Sequence, residues 1–287
     1  MKMKDSTFGF LVALPGTLYI LALVTFPLML LFWLSFVKFD FYNPVTFTGA
    51  LNYIKVIDDR VFWVALQNTI LYASGTTLIT MLIGILLAAA LSRIKKYSTF
   101  FRTLLILSWA VPFVVSGLVW RWMLDPGVGI YNYLLINSGL IKNAVNIFGN
   151  PTLAMIACIM ADSWVRIPFT FVLVLAGIQS IPIDLYEAAR IDGANMLQSF
   201  KNITLPLAQK SILTATLFNS MFSFRTIDVI WAMTRGGPGK ATYVLGIELV
   251  DYLVMYQNLG LCAALGVIML ILTSLFSSVI IYYLLMR

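Results

Sequence analysis

The chain has 287 residues, of which 61% are hydrophobic and only 11% charged, with a formal net charge of +7. A soluble domain carries nearer a quarter of charged residues because its surface faces water, so this composition excludes an ordinary soluble fold. Several apolar stretches exceed about twenty residues, enough to cross roughly 30 Å of hydrocarbon as helix. Lipid offers no partner to an unpaired backbone group, so the runs predict an all-α integral membrane protein.

In chain order, the first apolar run, 10–36, is too long for a secretory signal peptide, and no small-residue cleavage site follows it. Further spans are expected at 65–91, 103–124, 152–178, 210–233 and 260–285, giving six transmembrane helices. The segment 37–64 carries aromatic and polar residues, among them Phe39 to Tyr42 and Asn52–Tyr53–Ile54. The connection 92–102 is short and basic. Residues 125–151 open on Pro126, Gly127 and Gly129, a turn cluster. Residues 234–259 begin with Gly236, Gly237, Pro238 and Gly239, a sharp break after the fifth span.

With an even number of spans, both termini lie on one side. That side holds Lys2, Lys4, Arg93, Lys95, Lys96, Arg102, Arg190, Lys201, Lys210 and Arg287, against seven Lys and Arg on the other. The bias predicts cytoplasmic termini in a multi-pass protein of the cell (inner) membrane. A charge of +7 is ordinary for such a protein and points to no nucleic acid. Cys158 and Cys262 fall inside expected spans and read as small packing residues, so neither a disulfide framework nor a metal site is expected. Histidine, the commonest general base and metal ligand, is missing from the sequence.

The connection between the fourth and fifth spans, about 179–209, is long and patterned. Pro182 sets the turn into a helix expected over Ile183 to Ile191, with Asp184 and Glu187 early, where acids suit the helix dipole. Gly193 reads as its stop. A second helical piece is expected from Met196 to Asn202, ending before Pro206. A two-helix element lying across one face of a bundle has the shape of a docking site.

Within it, Glu187–Ala188–Ala189 is followed after three residues by Gly193, and after nine more by Ile203, one residue, then Leu205–Pro206. This spacing closely resembles the EAA motif of binding-protein-dependent ABC importer permeases. Leu175 to Pro182, Trp164–Val165–Arg166–Ile167–Pro168 and Gly236–Gly237–Pro238 are similar to the carbohydrate branch, the maltose and multiple-sugar permeases. The resemblance covers nearly the whole chain, without the inserted extracellular domain and extra N-terminal spans of the maltose-type subunit. It implies a single permease domain, 1–287, of the type I ABC importer fold, in which the loop forms a coupling helix seated in a cleft of an ATPase. The implied partners are a second homologous permease, two cytoplasmic ATPase subunits, an extracellular or periplasmic solute-binding protein, a sugar and the surrounding lipid. No cofactor is implied for the chain itself, because ATP binds the partner subunits. Small Ala188 and Ala189 permit close helix contact, Glu187 can pair with a basic residue, and Gly193 gives backbone freedom.

For the substrate pathway, Asn219, Ser223 and Thr226 stand at i, i+4 and i+7 of the fifth span, on one helical face. Small polar residues in spans also serve as interhelical hydrogen bonds. The resemblance implies that these positions contact sugar, and adds Trp109 and Phe113, beside a bending Pro112. Asp162 with Arg166, and Arg225 with Asp228, have the spacing of helical ion pairs. Arg166 also matches a sugar-lining position of the family, and would best suit an acidic or phosphorylated sugar.

Gly236–Gly237–Pro238–Gly239–Lys240 looks like a phosphate-binding loop, but Ala241 stands where Ser or Thr is needed and no strand precedes it. A secondary transporter would show internal repeats and intramembrane acids for ion coupling. No repeat is visible, and the acids sit beside arginines. A membrane-embedded enzyme has neither histidine nor a paired-carboxylate site to work with. A non-sugar solute remains the alternative within the importer class.

Overall fold

The computed structural model describes residues 5–94 and 98–286. Of the basic residues counted for orientation, Lys2, Lys4, Lys95, Lys96 and Arg287 lie outside them. In chain order the elements are α1 (Asp5–Ser35), β1 (Val37–Lys38), β2 (Thr46–Phe47), α2 (Leu51–Asp58), α3 (Arg60–Ser92), α4 (Ser98–Leu107), α5 (Phe113–Met123) and α6 (Ile130–Asn137). There follow α7 (Pro151–Gln179), α8 (Ile183–Ile191), α9 (Met196–Ser199), α10 (Leu205–Leu207), α11 (Gln209–Phe224), α12 (Asp228–Met233), α13 (Leu245–Val250) and α14 (Leu259–Leu285). The chain divides into two compact units. One holds the described residues of Met1–Phe62 with Leu249–Ile271, the other Trp63–Glu248 with those of Leu272–Arg287.

Among the described residues, four helical segments are long and apolar enough to cross a membrane: Val12–Ser35 within α1, then α3, α7 and α14. The third expected span, 103–124, is not one helix. It is the pair Thr99–Ala110 and Phe113–Met123, bent by 96°. Val111 is extended, at φ −78° and ψ 123°. A residue before proline is pushed out of the helical region, and Pro112 has no N–H to continue the ladder.

The fifth expected span, 210–233, is also broken. α11 stops at Phe224 after 16 residues, a rise of about 24 Å, and α12 resumes at Asp228. A cation, Arg225, ends the first piece and an acid, Asp228, opens the second, each at the end its charge favours. The expected Arg225–Asp228 helical pair is therefore not formed. Its i, i+3 spacing requires a continuous helix, and the two side chains make no ion pair within 4.0 Å.

In the first unit, β1 and β2 form a small antiparallel hairpin, with Val37 opposite Phe47. Asn52 on α2 donates to the carbonyls of Ser35 (3.0 Å) and Val37 (2.8 Å), closing the chain leaving α1 onto α2. α14 meets the same spot at Gly260, where a Cβ would stand 2.3 Å from the Val37 carbonyl.

In the second unit α7 is the central helix. Asn150 caps it, accepting from the amides of Thr152 (3.0 Å) and Leu153 (3.1 Å), with Pro151 at the first position. It continues through Pro168 and buries Val165, Phe171 and Val174. α5 lies against α12, and Gly117 makes the approach possible, since a Cβ there would sit 2.7 Å from that of Ala232. Small residues at such contacts let membrane helices pack closely. An apolar cluster that includes Met81, Leu91, Phe171, Leu175, Ile178 and Ala215 joins α3, α7 and α11, and Ile203 and Tyr186 of the long loop pack against it.

Candidate functional site

Two places in the second unit collect the residues singled out from the sequence. The first is a cavity of about 510 Å³ lined by Trp109, Phe113, Arg166, Phe169, Asn219, Phe222, Arg225, Thr226 and Asp228. Both breaks border it. Trp109 lies in the turn after α4 and Phe113 at the first position of α5, while Arg225 and Thr226 occupy the gap between α11 and α12.

Arg166 is buried and held three ways. Its Nε donates to Asp162 Oδ1 at 2.9 Å, its Nη2 to Thr226 Oγ1 at 2.6 Å, and its guanidinium sits 4.7 Å from the Phe113 ring centroid. Thr226 in turn donates to the Phe222 carbonyl at 2.8 Å. Asn219 is 1% exposed. Its amide donates to Thr170 Oγ1 (2.7 Å) and the Ala215 carbonyl (2.9 Å), leaving Oδ1 buried with no protein partner. A free acceptor at a cavity wall is what a substrate hydroxyl can satisfy.

The apolar side is an aromatic array. Trp109 and Phe169 stand 5.8 Å apart by ring centroids, and Phe169 meets Phe222 edge-on at 6.4 Å. Trp109 is 50% exposed, so its ring offers a free surface. Arg225 lies over Phe222 at 5.6 Å.

Five of the six expected pathway residues thus share one cavity; the sixth, Ser223, is buried outside its lining. Phe169, Phe222, Arg225 and Asp228 also line it. The sequence signal for the aromatics was Phe218 and Phe222 at i, i+4 beside the polar face of the fifth span.

The second place is the long loop. α8 spans Ile183–Ile191, as its local signals predict. Gly193 ends it at φ +80°, and Ala194 N–H reaches back to the Ala189 carbonyl at 2.8 Å, a closure that favours glycine. Asn195 and Gln198 then cap α9 reciprocally, at 2.9 and 2.7 Å. The expected end of the second piece before Pro206 is not observed. A wide turn over Phe200–Thr204 carries the helical path into α10, with Pro206 in its first turn, where a missing N–H costs little.

The motif residues divide by burial. Glu187, Ala188, Gly193 and Pro206 are exposed, and Ala189 and Leu205 half-buried. Ile203 packs on the apolar cluster. Ile191 is 87% exposed, beside exposed Met196 and Leu197. An exposed apolar patch on a structured loop marks a contact surface.

Membrane-length apolar helices, a cavity at two helix breaks and a helical loop packed on the same unit are the arrangement of a membrane transport subunit. The chain belongs to the binding-protein-dependent transport system inner membrane component family, whose profile matches residues 80–287, and it is a multi-pass permease subunit of an ABC importer rather than an enzyme. It is 34% identical over 261 residues to the trehalose/maltose transport system permease protein MalF of Thermococcus litoralis, covering 91% of this chain and 86% of that one. It is 30% identical over 271 residues to the sulfoquinovosyl glycerol transport system permease protein SmoG of Agrobacterium fabrum, covering 94% and 87%. A solved bacterial ABC transporter involved in import of the acidic polysaccharide alginate matches with a TM-score of 0.83 at 20% identity, over 96% of this chain and 94% of that one. That likeness establishes the type I permease fold.

Proposed function

We propose that this subunit conducts a sugar or oligosaccharide through the cavity at the two helix breaks, driven by ATPase subunits docked on α8. The observation that carries the reading is the joining of a stacking ring, Trp109, with a free buried acceptor, Asn219 Oδ1, in one cavity. Sugars present apolar C–H faces and hydroxyl edges, and need both. Phe113, Arg166 and Thr226 complete the lining, and buried Ser223 is the remaining polar residue of the same helical face. The relatives named for sugar-type substrates favour the same reading.

The whole chain acts as a single permease domain with cytoplasmic termini. Glu187, Ala188, Ala189, Gly193 and Pro206 present the docking surface, while Ile203 and Leu205 fasten it to the spans. A second homologous permease, two ATPase subunits and an external solute-binding protein complete the importer. An acidic or phosphorylated sugar is the second reading, favoured by Arg225, which lines the cavity without an ion-pair partner within 4.0 Å among the described residues.

The test is uptake by the assembled complex in proteoliposomes, with neutral and acidic sugars compared. Gly193→Trp, whose side chain meets open space but whose φ disfavours any Cβ, should reduce ATPase co-purification and uptake together. Normal co-purification and uptake would remove the coupling assignment. Uptake without ATP or a binding protein would remove the importer mechanism for this chain.

A further inference from the structure

A second cavity, of about 640 Å³, lies between the end of α3, the end of α7 and the α8–α9 elbow. Among the described residues its charged lining has one sign. Arg93, just past α3, and Arg190, in the last turn of α8, both line it, and no carboxylate does. Among the described residues neither guanidinium has a carboxylate within 4.0 Å. Tyr186 and Thr204 also line it, their hydroxyl oxygens 3.0 Å apart, and Ile178 and Ile183 add an apolar wall.

Two guanidiniums lining one space, with hydroxyls in the same lining, supply the donors that bind phosphate oxygens. Neutralisation by a ligand would relieve the mutual repulsion of the two cations. We propose that this cavity binds a phosphate group between Arg93 and Arg190, with the apolar remainder of an anionic amphiphile lying along Ile178 and Ile183. The site is separate from the transport cavity and shares no lining residue with it. It ties the end of a span to the helix that carries the coupling motif, so its occupant would bear on how firmly that helix is held. Phosphatidylglycerol and inorganic phosphate are the two sources of this chemistry.

Native mass spectrometry of the full-length chain in detergent, titrated with phosphatidylglycerol, phosphatidylcholine and inorganic phosphate, tests the assignment. Phosphatidylglycerol should be retained over phosphatidylcholine, and the Arg93→Gln/Arg190→Gln double variant should weaken its retention about tenfold or more. Both arginines are exposed, so the fold should survive. Lys201→Gln/Lys210→Gln, which removes exposed cations outside the lining, should leave retention unchanged. Equal retention by parent and arginine double variant overturns the site, and so does an equal loss in the lysine pair, which would mean general attraction to a basic surface. Displacement of phosphatidylglycerol by inorganic phosphate would keep the phosphate site and overturn the lipid as its occupant.

Discussion

Arg166 Nη2 donates to Thr226 Oγ1 across 2.6 Å while its Nε holds Asp162 at 2.9 Å, so one guanidinium joins α7 to the gap between α11 and α12. The same side chain lines the cavity at the helix breaks, which makes it both a structural tie and a candidate contact for substrate.

Because Asp162 is fully buried, Arg166→Ala leaves a carboxylate without its cation. Breaking one side of a buried pair costs about 3–5 kcal/mol, whereas removing both charges is often close to neutral. Arg166→Ala should therefore lower the melting temperature in detergent sharply, and Asp162→Leu/Arg166→Met should recover most of it. A single variant as stable as the parent would refute the structural tie. If Arg166→Ala assembles normally but loses uptake of acidic sugars only, Arg166 contacts the substrate.

Asn219→Ala and Trp109→Ala should raise the substrate concentration needed for half-maximal uptake. One sugar hydrogen bond is worth roughly 0.5–1.5 kcal/mol, a few-fold to about tenfold in concentration. Basal ATP hydrolysis by the assembled complex should change far less, because α8 is untouched. Unchanged concentration dependence in both variants would mean that sugar does not pass this wall.

The α5–α12 contact depends on the missing side chain at Gly117. Gly117→Val forces a Cβ to 2.7 Å from Ala232 Cβ and 3.0 Å from the Val229 carbonyl. Overpacking of this kind costs about 1–3 kcal/mol. Gly16→Ala on α1 has nothing within 4 Å of the new methyl and should be neutral or slightly stabilising. Thermal unfolding of the two variants side by side distinguishes a packing effect from a general intolerance of added bulk.

Asp125 accepts from the amides of Val128 (3.1 Å) and Gly127 (2.8 Å), and these bonds hold its carboxyl below its ordinary value of 3.8. A depressed folded pKa stabilises the turn above the unfolded pKa, and that contribution is lost as pH falls through the folded value. Protection of the turn should therefore be full above pH 3.8, weaken as pH falls below it, and be lost once the folded carboxyl is protonated. Hydrogen exchange at the Gly127 and Val128 amides measures this. Asp125→Asn should show no such acid dependence, and an identical pH profile in the variant would disprove the role of the carboxylate.

Local signals carried the long loop well. α8 begins after Pro182 and ends at Gly193 because one residue fixes the turn and the other allows the closing backbone conformation, and neither depends on distant parts of the chain. The breaks were less legible. Pro112 foretold a bend, but not one of 96°. Arg225 and Asp228 mark a polar dip in 210–233, but an i, i+3 charge pair also suits a continuous helix, so the dip alone does not fix a gap at Arg225 to Ile227. The gap is held by the Arg166–Thr226 bond, which joins residues 60 apart in sequence. Once α11 stops at Phe224, the pairing rule for Arg225 and Asp228 no longer applies, and both turn up on the cavity instead. Phe169 and Phe222 were not singled out because an aromatic residue in a span is ordinary until its neighbours are known.

The two interrupted spans also restrict what can surround this subunit. At each interruption the backbone leaves its own hydrogen-bond ladder, near Val111–Pro112 and near Arg225–Ile227. Hydrocarbon cannot satisfy the peptide groups freed there. Local bonds such as Thr226 N–H to the Ser223 carbonyl satisfy part of each interruption, and the rest favours water or protein over acyl chains. On the proposed reading the strip containing both interruptions faces the passage of the solute, so a lone copy in a bilayer would expose it to acyl chains at a cost in free energy.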